Sequence, residues 1–143
     1  MSETNPLRGL TTISFWAQDV SAAADWYSQL LGVEPYYVMP DPPAPPRYME
    51  FRIGDYQHEL GIIDASFAPP RSSDDPGGAI AYWHVDDPQQ AYEDLLARGA
   101  TPFEEPTPRG EGYVTAAVVD PFGNVLGVMS NPHYLEVLER RSE

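Results

Sequence analysis

The 143-residue sequence contains no cysteine, which excludes disulfides, thiolate nucleophiles, zinc–thiolate sites and cysteine-ligated iron–sulfur clusters. Lysine is missing as well: all eight basic residues are Arg, so neither a Schiff-base mechanism nor a pyridoxal-phosphate anchor is available. Any bound metal would have to be held by His, Asp, Glu or backbone oxygen. Positive charge is scarce. Acidic residues outnumber basic ones 22 to 8, for a net charge of −14, and such a polyanion is steered away from nucleic acid and anionic membrane surfaces. No window of about 18 apolar residues occurs, and Met1 to Arg8 shows no basic patch followed by an apolar run. These features predict a soluble cytoplasmic protein. There is no Gly-x-Ser-x-Gly elbow, no dinucleotide-binding or phosphate-binding glycine loop and no His-Glu-x-x-His.

What is present is a chain with 42% apolar residues, enough for a real core. Its 16 prolines cluster in Pro40 to Pro46, Pro69 to Pro76 and Pro102 to Pro108, where they mark loops. An internal repeat runs through the chain at a spacing of 66 to 68 residues. Ile13-Ser14-Phe15-Trp16 is answered by Ile80-Ala81-Tyr82-Trp83, Ala24 by Ala91, Gly32-Val33-Glu34-Pro35 by Gly99-Ala100-Thr101-Pro102, and Leu60-Gly61-Ile62-Ile63 by Leu126-Gly127-Val128-Met129. The shared order of these matches indicates a duplicated module.

Local signals agree with the duplication. Leu10 to Gln18 reads as a strand, after which Asp19 caps a helix with Val20, Ala23, Ala24, Tyr27, Leu30 and Leu31 at spacings of three and four, ended by Gly32. Val33 to Val38, Arg47 to Ile53 and His58 to Ile63 follow as strands, the last two joined by a short Gly54-Asp55 turn. The second half predicts a strand at Ala79 to Val85, a helix to Arg98, and strands near Thr101 to Glu104, Tyr113 to Val119 and Val125 to Ser130. Asp120-Pro121-Phe122-Gly123-Asn124 is the final turn. The fold class is therefore α+β: two tandem βαβββ modules, at residues 8–70 and 78–130, forming a curved mixed sheet around a cleft. Residues 131–143 are a C-terminal tail or short helix, with Tyr134, Leu135, Val137 and Leu138 at roughly helical spacing.

A one-residue error in register would turn every strand over. Pro88 suits a first helical position and Gln90 lies three after Asp87, so Asp87 rather than Asp86 is the predicted cap. Pairing Asp19 with Asp87 puts Ile13, Phe15 and Ala17 on the helix-packing face together with Ala81, Trp83 and Val85. Thr12, Ser14, Trp16 and Gln18 then share the other face with Ile80, Tyr82 and His84. Phe15 and Trp83 are assigned to the core.

On these residues, namely Phe15 to Asp19 leading into Trp26-Tyr27 and Leu30-Leu31-Gly32, then His84-Val85-Asp86-Asp87, Gly99-Ala100 and Asp120 to Asn124, the chain resembles the vicinal oxygen chelate superfamily of glyoxalase, bleomycin-resistance and extradiol dioxygenase proteins. The resemblance spans about residues 8 to 130. It implies a cleft built from paired modules, and a homodimer. Metal-dependent members carry a His or Gln early in the first strand of each module and a Glu in the fourth. Those positions fall here on Thr12, Gly61, Ile80 and Gly127, none of them an ordinary metal ligand. An alternative alignment brings Glu59 to the fourth-strand position. His58 points to the opposite face from Glu59, and His133 is read as a surface or interface residue.

The expectation is a protein without a cofactor, a divalent metal being disfavoured. It would bind a small molecule in the cleft through Trp16, Gln18, Tyr48, Glu59, Tyr82, His84 and Tyr113. The acidic excess and the likeness to bleomycin-resistance proteins favour a cationic or aromatic ligand, for resistance or sequestration. The alternative is a lyase, isomerase or dioxygenase that uses a displaced metal, or Glu59 and His84 as an acid–base pair. The Pro-rich loop Met39 to Pro46 and the segment Pro106 to Gly112 are stiff enough to serve as cleft walls or as connectors.

Overall fold

A computed structural model describes residues 6–69 and 75–141. Residues 70, 142 and 143, which closed the two expected end segments, lie outside these, as does Asp74. The chain divides into two compact units, Met1–Ala68 and Pro69–Glu143. Each carries one βαβββ module.

In the first unit, β1 (Thr12–Ala17) leads into α1 (Val20–Leu31), followed by β2 (Tyr37–Met39), β3 (Tyr48–Ile53) and β4 (His58–Asp64). The strands form a four-stranded sheet in the order β1-β4-β3-β2. The β1–β4 pair is parallel and the other pairs are antiparallel. As expected, Asp19 caps α1, accepting the Ala22 N–H at 3.0 Å, and Gly32 ends the helix in the left-handed conformation. α1 lays Val20, Ala23, Ala24 and Tyr27 onto the sheet. The Phe15 ring lies 5.9 Å from that of Tyr27, and Phe51, Leu60 and Ile62 complete the buried face.

The second unit repeats the order with β5 (Tyr82–His84), α2 (Pro88–Ala97), β6 (Thr101–Gly110), β7 (Tyr113–Val119) and β8 (Val125–Ser130). The sheet order is β5-β8-β7-β6. Asp87 is the cap of α2, accepting the Gln90 N–H at 3.1 Å with Pro88 in the first turn, so the predicted register holds. A further helix, α3 (Pro132–Arg141), replaces the undecided tail. Its start is secured by Asn131, whose side chain accepts the Tyr134 N–H at 3.0 Å.

β1 is shorter than expected at both ends and β3 and β4 shift by one residue at one end, while β2, β5 and β6 differ more. β2 keeps only Tyr37 and Val38 of the predicted residues and adds Met39, and β5 keeps only three. β6 runs on through Pro106 and Pro108 to Gly110, so the stretch read as a loop wall from Pro106 is largely strand. Proline is tolerated there because β6 is an edge strand, and its three register shifts absorb the missing N–H groups. Trp83 is half-buried rather than core, because α2 packs chiefly on β6, β7 and β8, whereas α1 also reaches β1.

The last turn is held from inside. Asp120 is 3% exposed, and its carboxylate accepts the backbone N–H groups of Phe122 (2.9 Å) and Asn124 (2.8 Å) and the Asn124 side-chain amide (3.0 Å). Asp120→Ala leaves these part-buried donors unmatched and is expected to cost about 2 kcal/mol. Removing the α1 cap with Asp19→Ala should cost about 1 kcal/mol. Urea denaturation of the two variants would reveal the order, and an equal or reversed cost would refute the turn's role as the tighter constraint.

Candidate functional site

Strand pairing fixes which side chains share the sheet face turned away from α1. Opposed residues form three rows: Thr12, Glu59 and Arg52; then Ser14, Gly61, Glu50 and Tyr37; then Trp16, Ile63, Tyr48 and Met39. In the first row Thr12 Oγ1 donates to Glu59 Oε1 (2.7 Å) and Arg52 Nη1 to Glu59 Oε2 (3.0 Å). The Arg52 guanidinium in turn lies 4.9 Å from the Tyr36 ring centre. In the second row Glu50 accepts a hydrogen bond from the Tyr48 hydroxyl.

The missing side chain of Gly61 governs this arrangement. A Cβ there would come within 2.9 Å of the Tyr48 ring and hydroxyl, so the tyrosine lies in the space that a side chain at 61 would occupy. Tyr48 also meets Tyr37 edge-on, with ring centres 6.1 Å apart.

Electrostatics separate the two carboxylates of this face. Hydrogen bonding from Thr12, then from Arg52, holds Glu59 below the usual carboxylate range. Burial, and then the charge on Glu59, push Glu50 above it, with Arg52 offsetting part of the effect. Burial and the same Glu59 charge raise Tyr48.

Beside the third row lies an open cavity of about 460 Å³ lined by Met39, Pro40, Arg47, Tyr48, Ile63 and Phe67. The Pro-rich loop closes around it, as Arg47 N–H donates to Met39 O (2.9 Å). Of the segment Met39 to Pro46, Met39 and Pro40 line the cavity. Phe67, on a 3-10 turn at Ala65–Phe67, supplies the far wall, and the Arg47 guanidinium sits 4.5 Å from its ring centre.

The second unit has a comparable face with different contacts. A Cβ at Gly127 would meet the Tyr82 ring at 2.7 Å, Ala81 O at 2.9 Å and the Ile80 side chain at 2.9 Å. Tyr82 Oη donates to Glu104 (3.2 Å), and Glu104 is closely paired with Arg109, which also donates to Thr115 (3.0 Å). His84 is 10% exposed at its side chain. Its Nδ1 accepts the Asn131 N–H (3.1 Å) and its ring stacks on Tyr134 at 4.9 Å. An accepting Nδ1 leaves the ring proton on Nε2, which lies 3.4 Å from the exposed Asp86 carboxylate and makes no hydrogen bond among the described residues.

Of the residues singled out from sequence, Trp16, Tyr48 and Glu59 share one face of the first unit, and Gln18 lies exposed one residue beyond β1. Tyr82, His84 and Tyr113 belong to the second unit, Tyr113 opposite Gly110 at the β6–β7 turn. Glu59 and His84 each have partners inside their own unit. Sequence reasoning passed over Glu50, Arg52, Arg47, Glu104 and Arg109. The available signal was spacing: Tyr48, Glu50 and Arg52 alternate along one strand and must share a face.

The four positions that the resemblance marks for metal ligands hold Thr12, Gly61, Ile80 and Gly127. Two are covered by tyrosine rings, and Ile80 packs against Gly127. Glu59, the alternative donor, has both oxygens engaged by Thr12 and Arg52. Among the described residues no group of three His, Asp or Glu could hold a metal ion. These residues do not fit a divalent ion.

Residues 9–128 match the family model for the glyoxalase/bleomycin resistance protein/dioxygenase superfamily. The chain belongs to that superfamily. No curated protein matches it. Solved structures with the same fold include TioX from Micromonospora sp. ML1, at 15% identity and TM-score 0.62, covering 85% of this chain and 98% of that one. A glyoxalase-related enzyme from Fulvimarina pelagi matches at 19% identity and TM-score 0.65, covering 88% and 90%. A superfamily member from Sphaerobacter thermophilus DSM 20745 matches at 20% identity and TM-score 0.63, covering 86% and 97%. At these identities the likeness is one of fold. No helix among the described residues is long and apolar enough to cross a membrane.

The paired carboxylates generate a pH prediction. Because Glu50 is raised above its ordinary value of 4.5, the folded chain takes up this proton before the unfolded chain does, so ionisation of Glu50 weakens the fold as pH rises through that window. Glu50→Gln should therefore raise Tm at pH 7, with the gain fading as pH falls through the raised range of Glu50 and gone below its ordinary value of 4.5. Glu59 is shifted the other way. Glu59→Gln should lower Tm at pH 7, and the loss should shrink once acid protonates the wild-type carboxylate. Thermal melts across pH that show the same sign for both variants would refute this assignment.

Proposed function

We propose that the chain is a metal-independent, small-molecule-binding member of its superfamily, which holds a planar, largely apolar ligand against the sheet face turned away from α1, in a sequestering or resistance role. The observation that carries this reading is the tyrosine cover. At both fourth-strand positions a glycine admits a tyrosine ring where a ligating carboxylate would otherwise project. The face has exchanged oxygen donors for aromatic surface, and beside it lies a cavity within the range of about 300–1,000 Å³ used by small-molecule sites.

A second reading, a lyase or isomerase working without metal, draws on the divergence of two neighbouring carboxylates, since Glu50 is raised and Glu59 lowered. Such pairs divide acid and base roles in enzymes. The pair that serves it is Glu50 with Tyr48 rather than Glu59 with His84, because Glu59 is already neutralised by Arg52.

Untagged protein is expected to purify without stoichiometric metal and to show no change in Tm on addition of nickel, cobalt or iron(II). Planar aromatic compounds should raise its Tm. Tight one-to-one metal binding would overturn the proposal. Turnover of a bound compound that is lost in Glu50→Gln while binding persists would favour the second reading.

A further inference from the structure

The cavity beside Tyr48 has one charged wall residue, and it is a cation. Its other walls are the Met39 thioether, Pro40, Ile63 and the rings of Tyr48 and Phe67. The Tyr48 hydroxyl is committed to Glu50, so the free donors belong to Arg47.

Arg47 is exposed, and among the described residues its guanidinium makes neither an ion pair nor a hydrogen bond. Asp64 is close enough for the Arg47 charge to lower it, but the Asp64 carboxylate is turned to the Ser66 N–H at 2.9 Å. What holds the guanidinium at the cavity is the Phe67 ring, 4.5 Å away. Stacking on an aromatic face restrains the guanidinium plane while leaving its edge donors available. A planar, bidentate acceptor such as a carboxylate matches that edge.

We propose that this cavity takes a planar aromatic monocarboxylate, its ring against Tyr48, Met39, Ile63 and Phe67 and its carboxylate on Arg47. The inference rests on the small-molecule-binding reading above and narrows its ligand class. It reverses the cationic preference suggested by a net charge of −14. That charge acts on the approach of a ligand and disfavours multiply charged anions. Within the cavity the charge carried by its own wall decides.

The test uses the full chain and three probes sharing one ring system: 2-naphthoate, 2-naphthylmethanol and 2-naphthylmethylammonium. Titration calorimetry at pH 7 should rank the carboxylate about tenfold or more tighter than the ammonium. The Met39 methyl resonance should move on binding, which places the probe at the cavity. Arg47→Gln should erase the carboxylate's advantage while leaving the alcohol within about twofold, and Arg47→Lys should retain part of it. Arg47 is exposed, so both variants are expected to keep the wild-type circular dichroism spectrum. A tighter ammonium, an advantage unchanged in Arg47→Gln, or a bound probe that leaves the Met39 methyl unmoved would overturn this inference and leave the binding reading standing. If none of the three probes binds, both fall.

Discussion

The pairing of the fourth strand with the first sets everything that follows in each unit. Side chains alternate across a strand with a period of two, so the parallel register that joins Thr12 to Glu59 sends Leu60 and Ile62 under α1 and leaves Glu59, Gly61 and Ile63 on the opposite face. A slip of one residue would bury the Glu59 carboxylate beneath the helix and expose Leu60 and Ile62. The buried apolar face therefore enforces the chemistry of the other one. In the second unit the same logic sends Leu126 and Val128 inward and leaves Gly127 opposite Tyr82.

Within that frame the two glycines act by what they omit, and the two covers are not copies of each other. Tyr48 reaches Gly61 from β3, whereas Tyr82 covers Gly127 from β5. Ser14 occupies the place in the first unit that Tyr82 has in the second, since each lies opposite the fourth-strand glycine. Two strands have thus supplied the same ring to the same kind of vacancy. The carboxylates that accompany the rings differ accordingly: Glu104 is neutralised by Arg109, while Arg52 is spent on Glu59 and leaves Glu50 with a tyrosine hydroxyl alone.

Much of this fold was legible in one dimension because it rests on short-range signals. Asp19 and Asp87 announce their helices by composition and spacing, Gly32 ends one, and Asp120 to Asn124 spells out its turn. The duplication was legible because Gly61 and Gly127 keep their setting. Strand ends were less so: β2 and β5 are edge strands, and pairing decides their length. The site was legible only in outline. Alternation places Tyr48, Glu50 and Arg52 on one face, but which carboxylate keeps a free charge depends on cross-strand partners that no local pattern encodes. The cavity was harder still, because Met39, Arg47, Ile63 and Phe67 come from a strand end, a loop exit, a second strand and a 3-10 turn.

Charge shows the gap between composition and site most sharply. A net charge of −14 is a property of the whole surface, and its field is screened over roughly 8–10 Å at physiological salt. A ligand inside the cavity lies within contact distance of its walls, where a guanidinium fixed on Phe67 outweighs carboxylates farther away across water. Asp64, the acid placed to cancel Arg47, is turned aside by its own role as the cap of the 3-10 turn, accepting the Ser66 N–H. A local backbone requirement thus leaves one arginine without an ion-pair partner among the described residues of a strongly acidic protein. That residue, and not the average, sets the polarity of the cavity.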